Sequence, residues 1–261
     1  MTGFICLHEK AVIEEFLRRE TDLHIYELGD LDEFFWPKTL WFGGKDKGGI
    51  SSLVMLYVGL VHPTLLAMGS VPPLVELIRE LSDLLPHWFY AHVSPGVEAG
   101  FQGKFQVESP HEHLKMSLKK PTLTLGPDES RAERLGPENL AEVLQLYKES
   151  YPANWFDPRM LETREYFGIR EGTRLVSIAG VHVFSPSMKV AALGNIATAP
   201  SHRRKGLGTI VTRDLCRSLL KKVDNIGLNV FANNRAAISC YKKLGFEIVT
   251  PYLEFSVHRN S

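Results

Sequence analysis

Residues 200–210 read PSHRRKGLGTI: three consecutive cations, then Gly206-Leu207-Gly208, then the start of a helix. The N-terminal end of a helix dipole is already positive, so Arg203, Arg204 and Lys205 oppose it unless something negative sits at the same turn. The stretch therefore implies an anionic partner. The residues on either side set it in a fold. VAALGNIATAP before it is an apolar strand. After it, Leu207, Val211, Leu215 and Leu219 recur every four residues and predict a helix. NIGLNVFA is the next strand. NNRAAISCYKKLGF is a short helix, with Asn233 or Asn234 to cap its start and Gly245 at the left-handed position after Leu244.

The pattern extends through the second half of the chain. In GPENLAEVLQLYKES, Pro137 opens a helix with Leu140, Val143, Leu144 and Tyr147 on one face. Residues 165–200 give three strands, with turns at Glu171-Gly172 and Ser185-Pro186-Ser187. FEIVT and YLEFSVH supply two last strands. In the first half, HEKAVIEEFLRRE is a helix and residues 40–69 give three strands. PPLVELIRELSDLL is a further helix, and HWFYAHV is a strand. That order, β-β-β-α-β, repeats the core of the second half without residue identity. The linker is KKPTLTLGPDES, rich in Pro, Gly and polar residues. The expected domains are 1–120 and 131–261, joined by 121–130, each α/β with a mixed central sheet.

The bulk composition narrows the function. With 30 basic and 30 acidic residues the chain has no net charge, so it is not a basic nucleic-acid binder. Cys6, Cys216 and Cys240 lack metal-ligand spacing and are odd in number, which favours reduced thiols and no metal. The start, MTGFICLHEK, carries no basic region of a secretory signal. The apolar run 53–61 stops at His62-Pro63, well short of the ~20 residues that cross a membrane. It reads as a buried strand. A cytoplasmic protein with no membrane partner is expected.

The turn and the later helix together resemble the general-control-related N-acyltransferase (GNAT) superfamily. Arg203, Gly206 and Gly208 fit its Q/R-x-x-G-x-G/A loop. Asn233, Ala236 or Ala237, Tyr241, Gly245 and Phe246 fit its N-x-x-A-x-x-x-Y-x-x-x-G-F segment. The resemblance covers residues 131–258. The degenerate first half resembles, in layout only, the glycine N-acyltransferase-like branch. The family resemblance implies that the anion is the diphosphate of acyl-CoA, acetyl-CoA first among them. The glycines would let the backbone approach it, with the N–H groups of residues 204–209 and the three cations around it. Leu207 and Thr209 belong to that turn. The resemblance also implies strands that splay apart, with pantetheine along Ile196, Ala197 and Thr198, and a contribution from Asn233 and Ala237.

By the same resemblance a backbone N–H of the NIAT strand stabilises the oxyanion, and Tyr241 protonates the leaving sulfur. Tyr241 also fits a core position beside Ala237 and Leu244. Many members carry a glutamate near position 192, but no Asp or Glu occurs between Gly172 and Arg213. His182, on the neighbouring strand, is the candidate base, and a structural histidine is the alternative. Asn195 could orient the acceptor but cannot act as a base. An α-amino acceptor, with a pKa of about 7.7–8.0, needs less help than a lysine at about 10.4. The aromatic stretch YELGDLDEFFWPKTLWFGG, residues 26–44, is core or the wall of an acceptor pocket. The expected function is acetyl transfer from acetyl-CoA to the primary amine of a small molecule or amino acid. A non-catalytic acyl-CoA-binding or sensor module is the alternative, and a scaffold that keeps only the fold is a third class. The first half is expected to bind no acyl-CoA, because Val71-Pro72-Pro73 removes backbone donors where its helix begins.

Overall fold

A computed structural model of the chain describes residues 3–59, 61–121 and 131–260. In chain order its strands and α-helices begin with β1 (Phe4–Leu7), α1 (Lys10–Leu17), α2 (Ile25–Gly29), β2 (Thr39–Asp46), β3 (Gly49–Tyr57), β4 (Thr64–Ala67), α3 (Val71–Leu81), β5 (Trp88–Val93) and β6 (Phe105–Leu118). They continue with β7 (Glu133–Leu135), α4 (Leu140–Ser150), β8 (Tyr166–Glu171), β9 (Arg174–Ser185), β10 (Val190–Thr198), α5 (Leu207–Leu219), β11 (Asn225–Phe231), α6 (Arg235–Leu244) and β12 (Phe246–Arg259). Two compact units result. One comprises Met1–Lys115, Val230–Asn233 and Ile248–Ser261; the other comprises Met116–Asn229 and Asn234–Glu247. Residues 122–130, read from sequence as most of a linker, lie outside the described residues.

In the first unit the strand order is β1-β2-β3-β4-β5-β12-β6. β2, β3 and β4 are antiparallel neighbours, and β4 runs parallel to β5 across α3. Pro72 and Pro73 sit in the first turn of α3, where missing N–H groups cost no helical bond. Leu74, Leu77, Ile78 and Leu81 form its buried face. The last strand corrects the sequence reading twice. FEIVT and YLEFSVH are one strand, β12. The register with β5 begins only at Leu253, so no bond of that ladder needs the N–H that Pro251 lacks. Residues 248–261, expected in the second domain, belong to the first unit. Phe255 and Val257 pack in its core with Phe89, Ala91 and Val93.

The run 53–61 is buried only in part. Leu53, Val54, Met55 and Leu56 are interior, but β3 ends at Tyr57, leaving Val58 43 % and Val61 92 % exposed. The aromatic stretch divides in the same way. Trp41 and Phe42 are buried on β2, Trp36 stacks on Trp41 at 6.4 Å, and Phe34 is exposed.

In the second unit the order is β11-β10-β9-β8-β7. β7 to β10 are antiparallel in sequence, and β10 runs parallel to β11 across α5. The series β8-β9-β10-α5-β11 thus has the order and strand sense of β2-β3-β4-α3-β5. Helix α5 buries Val211, Leu215 and Leu219 as its spacing predicts, each contributing about 1.5–3 kcal/mol. Helix α4 buries Val143, Leu146 and Tyr147, while Leu144, expected on the inner face, is exposed.

Candidate functional site

The cationic turn is held in its shape by backbone that only certain residues adopt readily. Arg204 has φ 62° and Gly206 has φ 79°, and Gly206 is the N-cap of α5. No side chain caps this helix, and its first turn carries no acid. Ile210 N–H donates to the Gly206 carbonyl at 3.2 Å. The N–H groups of Leu207, Gly208 and Thr209 then have no partner within the helix. A Cβ placed on Gly206 would meet nothing within 4 Å, and one on Gly208 would meet only Thr198 Oγ1 at 3.5 Å. The turn is therefore an open cradle of donors.

Its three cations are not equivalent. Arg203 braces the turn: its Nε donates to the Thr198 carbonyl at 3.2 Å and its Nη2 to the Ser150 carbonyl at 3.3 Å. Arg204 and Lys205 are exposed. Below the turn, the buried His202 places Nε2 2.6 Å from Glu171 Oε2. That hydrogen bond, aided by the charges of His202, Lys205 and Arg174, holds the Glu171 carboxyl below its ordinary pKa.

The parallel pair beneath the helix opens at this end. β10 and β11 pair from Val190↔Asn225 to Leu193↔Leu228 and no further, although both strands continue. On its other side β10 keeps its partner, with Ala197↔Ile178 and Thr198↔Ser177 after a bulge. Ile196, Ala197 and Thr198 thus stand on an edge that has parted from β11. The bulge holds Asn195 and Ile196, and Asn195 has φ 54°. Its backbone carbonyl accepts from the Tyr147 hydroxyl at 2.8 Å, and its Nδ2 donates to the Tyr166 hydroxyl at 3.2 Å. Tyr166 in turn donates to the Val181 carbonyl at 2.9 Å. Both tyrosines are buried core residues in sequence terms. Neither was identifiable as part of the site, because nothing in their spacing shows where the hydroxyls end.

On α6, Asn234 rather than Asn233 is the cap, accepting from Ala237 N–H at 3.1 Å. Asn233 is an exposed turn residue before it. Gly245, φ 98°, ends the helix as expected. Tyr241 is buried, and burial, with the neighbouring Cys240, Tyr151 and Cys216, raises its phenol well above the ordinary value. Thr209 Oγ1 lies 3.1 Å from Cys240 Sγ, joining the first turn of α5 to α6. His182 is half-buried on β9, and its ring covers Gly194: a Cβ there would stand 2.2 Å from His182 Cδ2. Gly180, paired with Gly194, is covered in the same way by Tyr166. Among the described residues no three His, Cys, Asp or Glu side chains are grouped to hold a metal ion. No described helix is long and apolar enough to cross a membrane.

The model of the acetyltransferase (GNAT) family matches residues 140–246. The mycothiol acetyltransferase of Tsukamurella paurometabola is 26 % identical over 189 residues, which are 69 % of this chain and 58 % of that protein. The ribosomal protein bS18-alanine N-acetyltransferase of Escherichia coli is 43 % identical over 61 residues, 23 % of this chain and 41 % of that one. The matches thus span about half the length of these relatives. A tandem GNAT protein from the clavulanic acid biosynthesis pathway shares the fold, with a TM-score of 0.59 at 15 % identity over 99 % of this chain and 98 % of that one.

Proposed function

We propose that this chain, whose residues 140–246 form a domain of the acetyltransferase (GNAT) family, transfers an acetyl group from acetyl-CoA to a primary amine of a small molecule or amino acid. The observation that carries the reading is the opening of β10 from β11 directly under an uncapped helix N-terminus. The first supplies a free strand edge for an amide-bearing chain. The second supplies backbone donors and positive potential for a diphosphate. The two relatives act as acetyltransferases by their names, and one of them acetylates an alanine nitrogen.

In this reading the N–H groups of Leu207, Gly208 and Thr209, with Arg204 and Lys205, hold the diphosphate, and Arg203 keeps the turn in shape. Pantetheine lies along Ile196–Thr198, and a backbone N–H of that edge faces the thioester oxygen. The neutral amine attacks the carbonyl carbon, and the electron pair moves to the oxygen, which the N–H stabilises. The C–S bond then breaks. The nitrogen gives its proton to water or to His182, and Tyr241 gives one to the thiolate and regains it from solvent. A phenol, with an ordinary pKa of about 10, carries that proton at neutral pH. The products are the amide and free CoA.

Among the described residues of the first half, the corresponding strand pair does not open in this way. β4 and β5 pair to the end of β4, at Ala67↔Val93, and the next bonds, Ser94 N–H to the Ala67 carbonyl and Gly69 N–H to Ser94 Oγ, close the strands. One acyl-CoA per chain follows. A sensor that binds acyl-CoA without turnover is the second reading, favoured by the lack of any carboxylate from Gly172 to Arg213. Thiol release from acetyl-CoA and longer acyl-CoAs, screened against amino acids, polyamines and peptides, separates the two. Binding with no thiol release under any pairing favours the sensor.

A further inference from the structure

We infer that the side-chain oxygen of Asn195 receives an N–H of the incoming amine, and that the acceptor is an α-amino group. The inference rests on the transferase reading above. Asn195 is only 3 % exposed, yet its Oδ1 has no hydrogen-bond partner. The network around it fixes which way the amide faces. Tyr166 has one hydroxyl proton, and the Val181 carbonyl takes it at 2.9 Å. The Tyr166 oxygen can then only accept, so Asn195 must present Nδ2 to it, at 3.2 Å. Tyr147 pins the backbone of the same residue through its carbonyl. The amide cannot turn to satisfy its own oxygen without breaking the Tyr166 bond. A buried carbonyl oxygen left without a donor is unfavourable, and a bound N–H removes that penalty.

The place of this oxygen gives it a partner. Asn195 sits in the bulge two positions past Leu193, where pairing with β11 stops, and so lies on the parted edge itself, beside Ile196. A donor brought to the opened edge is the amine that attacks there. The chemistry of the acceptor follows from the group that meets it. An amide oxygen accepts a hydrogen bond but, unlike a carboxylate, does not strongly favour the ammonium form. The sequence puts no Asp or Glu between Gly172 and Arg213 to do so either, and Asp157, whose charge reaches Tyr166, is itself paired with Arg159 at 2.5 Å. The site thus suits an amine largely neutral near pH 8, an α-amino group at about 7.7–8.0 rather than a lysine side chain at about 10.4. Tyr166 is a positioning residue in this scheme.

The test uses the whole chain, saturating acetyl-CoA and two probes: trialanine amide for the α-amino group and Nα-acetyl-lysine amide for the ε-amino group. Thiol release is followed from pH 6 to 10, and acetyl-CoA binding is measured by calorimetry. Asn195→Ala should raise KM for trialanine amide about ten-fold or more and leave the dissociation constant of acetyl-CoA within about two-fold. Tyr166→Phe should raise KM less. Asn195→Asp, which keeps the size and carries the test if the alanine variant unfolds, should move the ascending limb of the kcat profile up by about one pH unit, because a carboxylate holds the bound amine as ammonium. A merely structural Asn195 would leave that limb in place. An unchanged KM in Asn195→Ala, an unmoved limb in Asn195→Asp, or preference for the lysine probe overturns the inference while sparing the transferase reading. No thiol release by the wild-type chain with either probe overturns the inference itself, and no release across the broader screen overturns the reading beneath it.

Discussion

Replacing Gly206 by Val separates the cradle from the fold that carries it. Gly206 has φ 79°, a conformation in which a β-branched residue is strained by about 1–3 kcal/mol. No steric clash adds to this, since a Cβ there meets nothing within 4 Å. The domain should therefore fold, with a melting temperature lowered by several degrees at about 2–4 °C per kcal/mol. Binding suffers more. The Val side chain fills the open space through which a diphosphate would reach the N–H groups of Leu207 and Gly208. Losing two hydrogen bonds to charged oxygens, at about 1.5–3 kcal/mol each, costs about 3–6 kcal/mol, or roughly 10²–10⁴-fold in affinity. Gly206→Asn is the control, because Asn tolerates the left-handed region and relieves most of the strain. Calorimetric titration with acetyl-CoA, alongside circular dichroism, reads both effects. A folded Gly206→Val protein with the wild-type dissociation constant would remove this turn from the coenzyme site.

Other expectations follow from single groups. Tyr241→Phe keeps the packing against Phe246 and removes the proton donor, so kcat should fall about 10²-fold with little change in KM for acetyl-CoA; steady-state kinetics with an amine found in the screen decides it. Titration of the intact chain should give one acetyl-CoA per chain, abolished by disrupting the turn at 203–208. A second site, or one that survives the disruption, refutes the assignment of a closed first half. In the first unit Asp30 is raised well above its ordinary pKa by burial and by Glu27, against the pull of Lys115. A carboxyl whose folded pKa is raised favours the folded state at low pH and loses that contribution as pH rises toward the folded value. Asp30→Asn should accordingly raise the melting temperature at pH 7 by about 2 °C or more and change it little at pH 3; a drop at pH 7 contradicts this. Glu27 behaves oppositely. Burial would raise it, but Lys115 and His24 hold it at about 2. Glu27→Gln should therefore destabilise the chain at neutral pH by melting temperature, and this loss should shrink as pH falls from about 4.5 toward 2.

The second half of the chain was legible because its signals are local. Helix spacing from Leu207 to Leu219, the turns at Gly172 and Pro186, and the cap at Gly245 each act within a few residues, and each element formed where its spacing placed it. The choice of Asn234 over Asn233 as the cap is a matter of one hydrogen bond. What the sequence could not hold was the outcome of pairing between distant strands. β6 carries Pro110 and charged residues without alternation, and becomes a strand through its place beside β12. The last strand joins the first unit because alternate residues, Phe255 and Val257, fit its core and its backbone fits β5. Leu144 lies outside because the inner face of α4 is chosen by what packs on it. The site divides in the same way. Cations, glycines and Tyr241 are written in the chain as residue types at fixed spacing. The parting of β10 from β11, the closed end of β4 and β5, and the Asn195 oxygen fixed by Tyr166 are products of hydrogen bonds between segments far apart in sequence, and only the folded chain brings those donors and acceptors together.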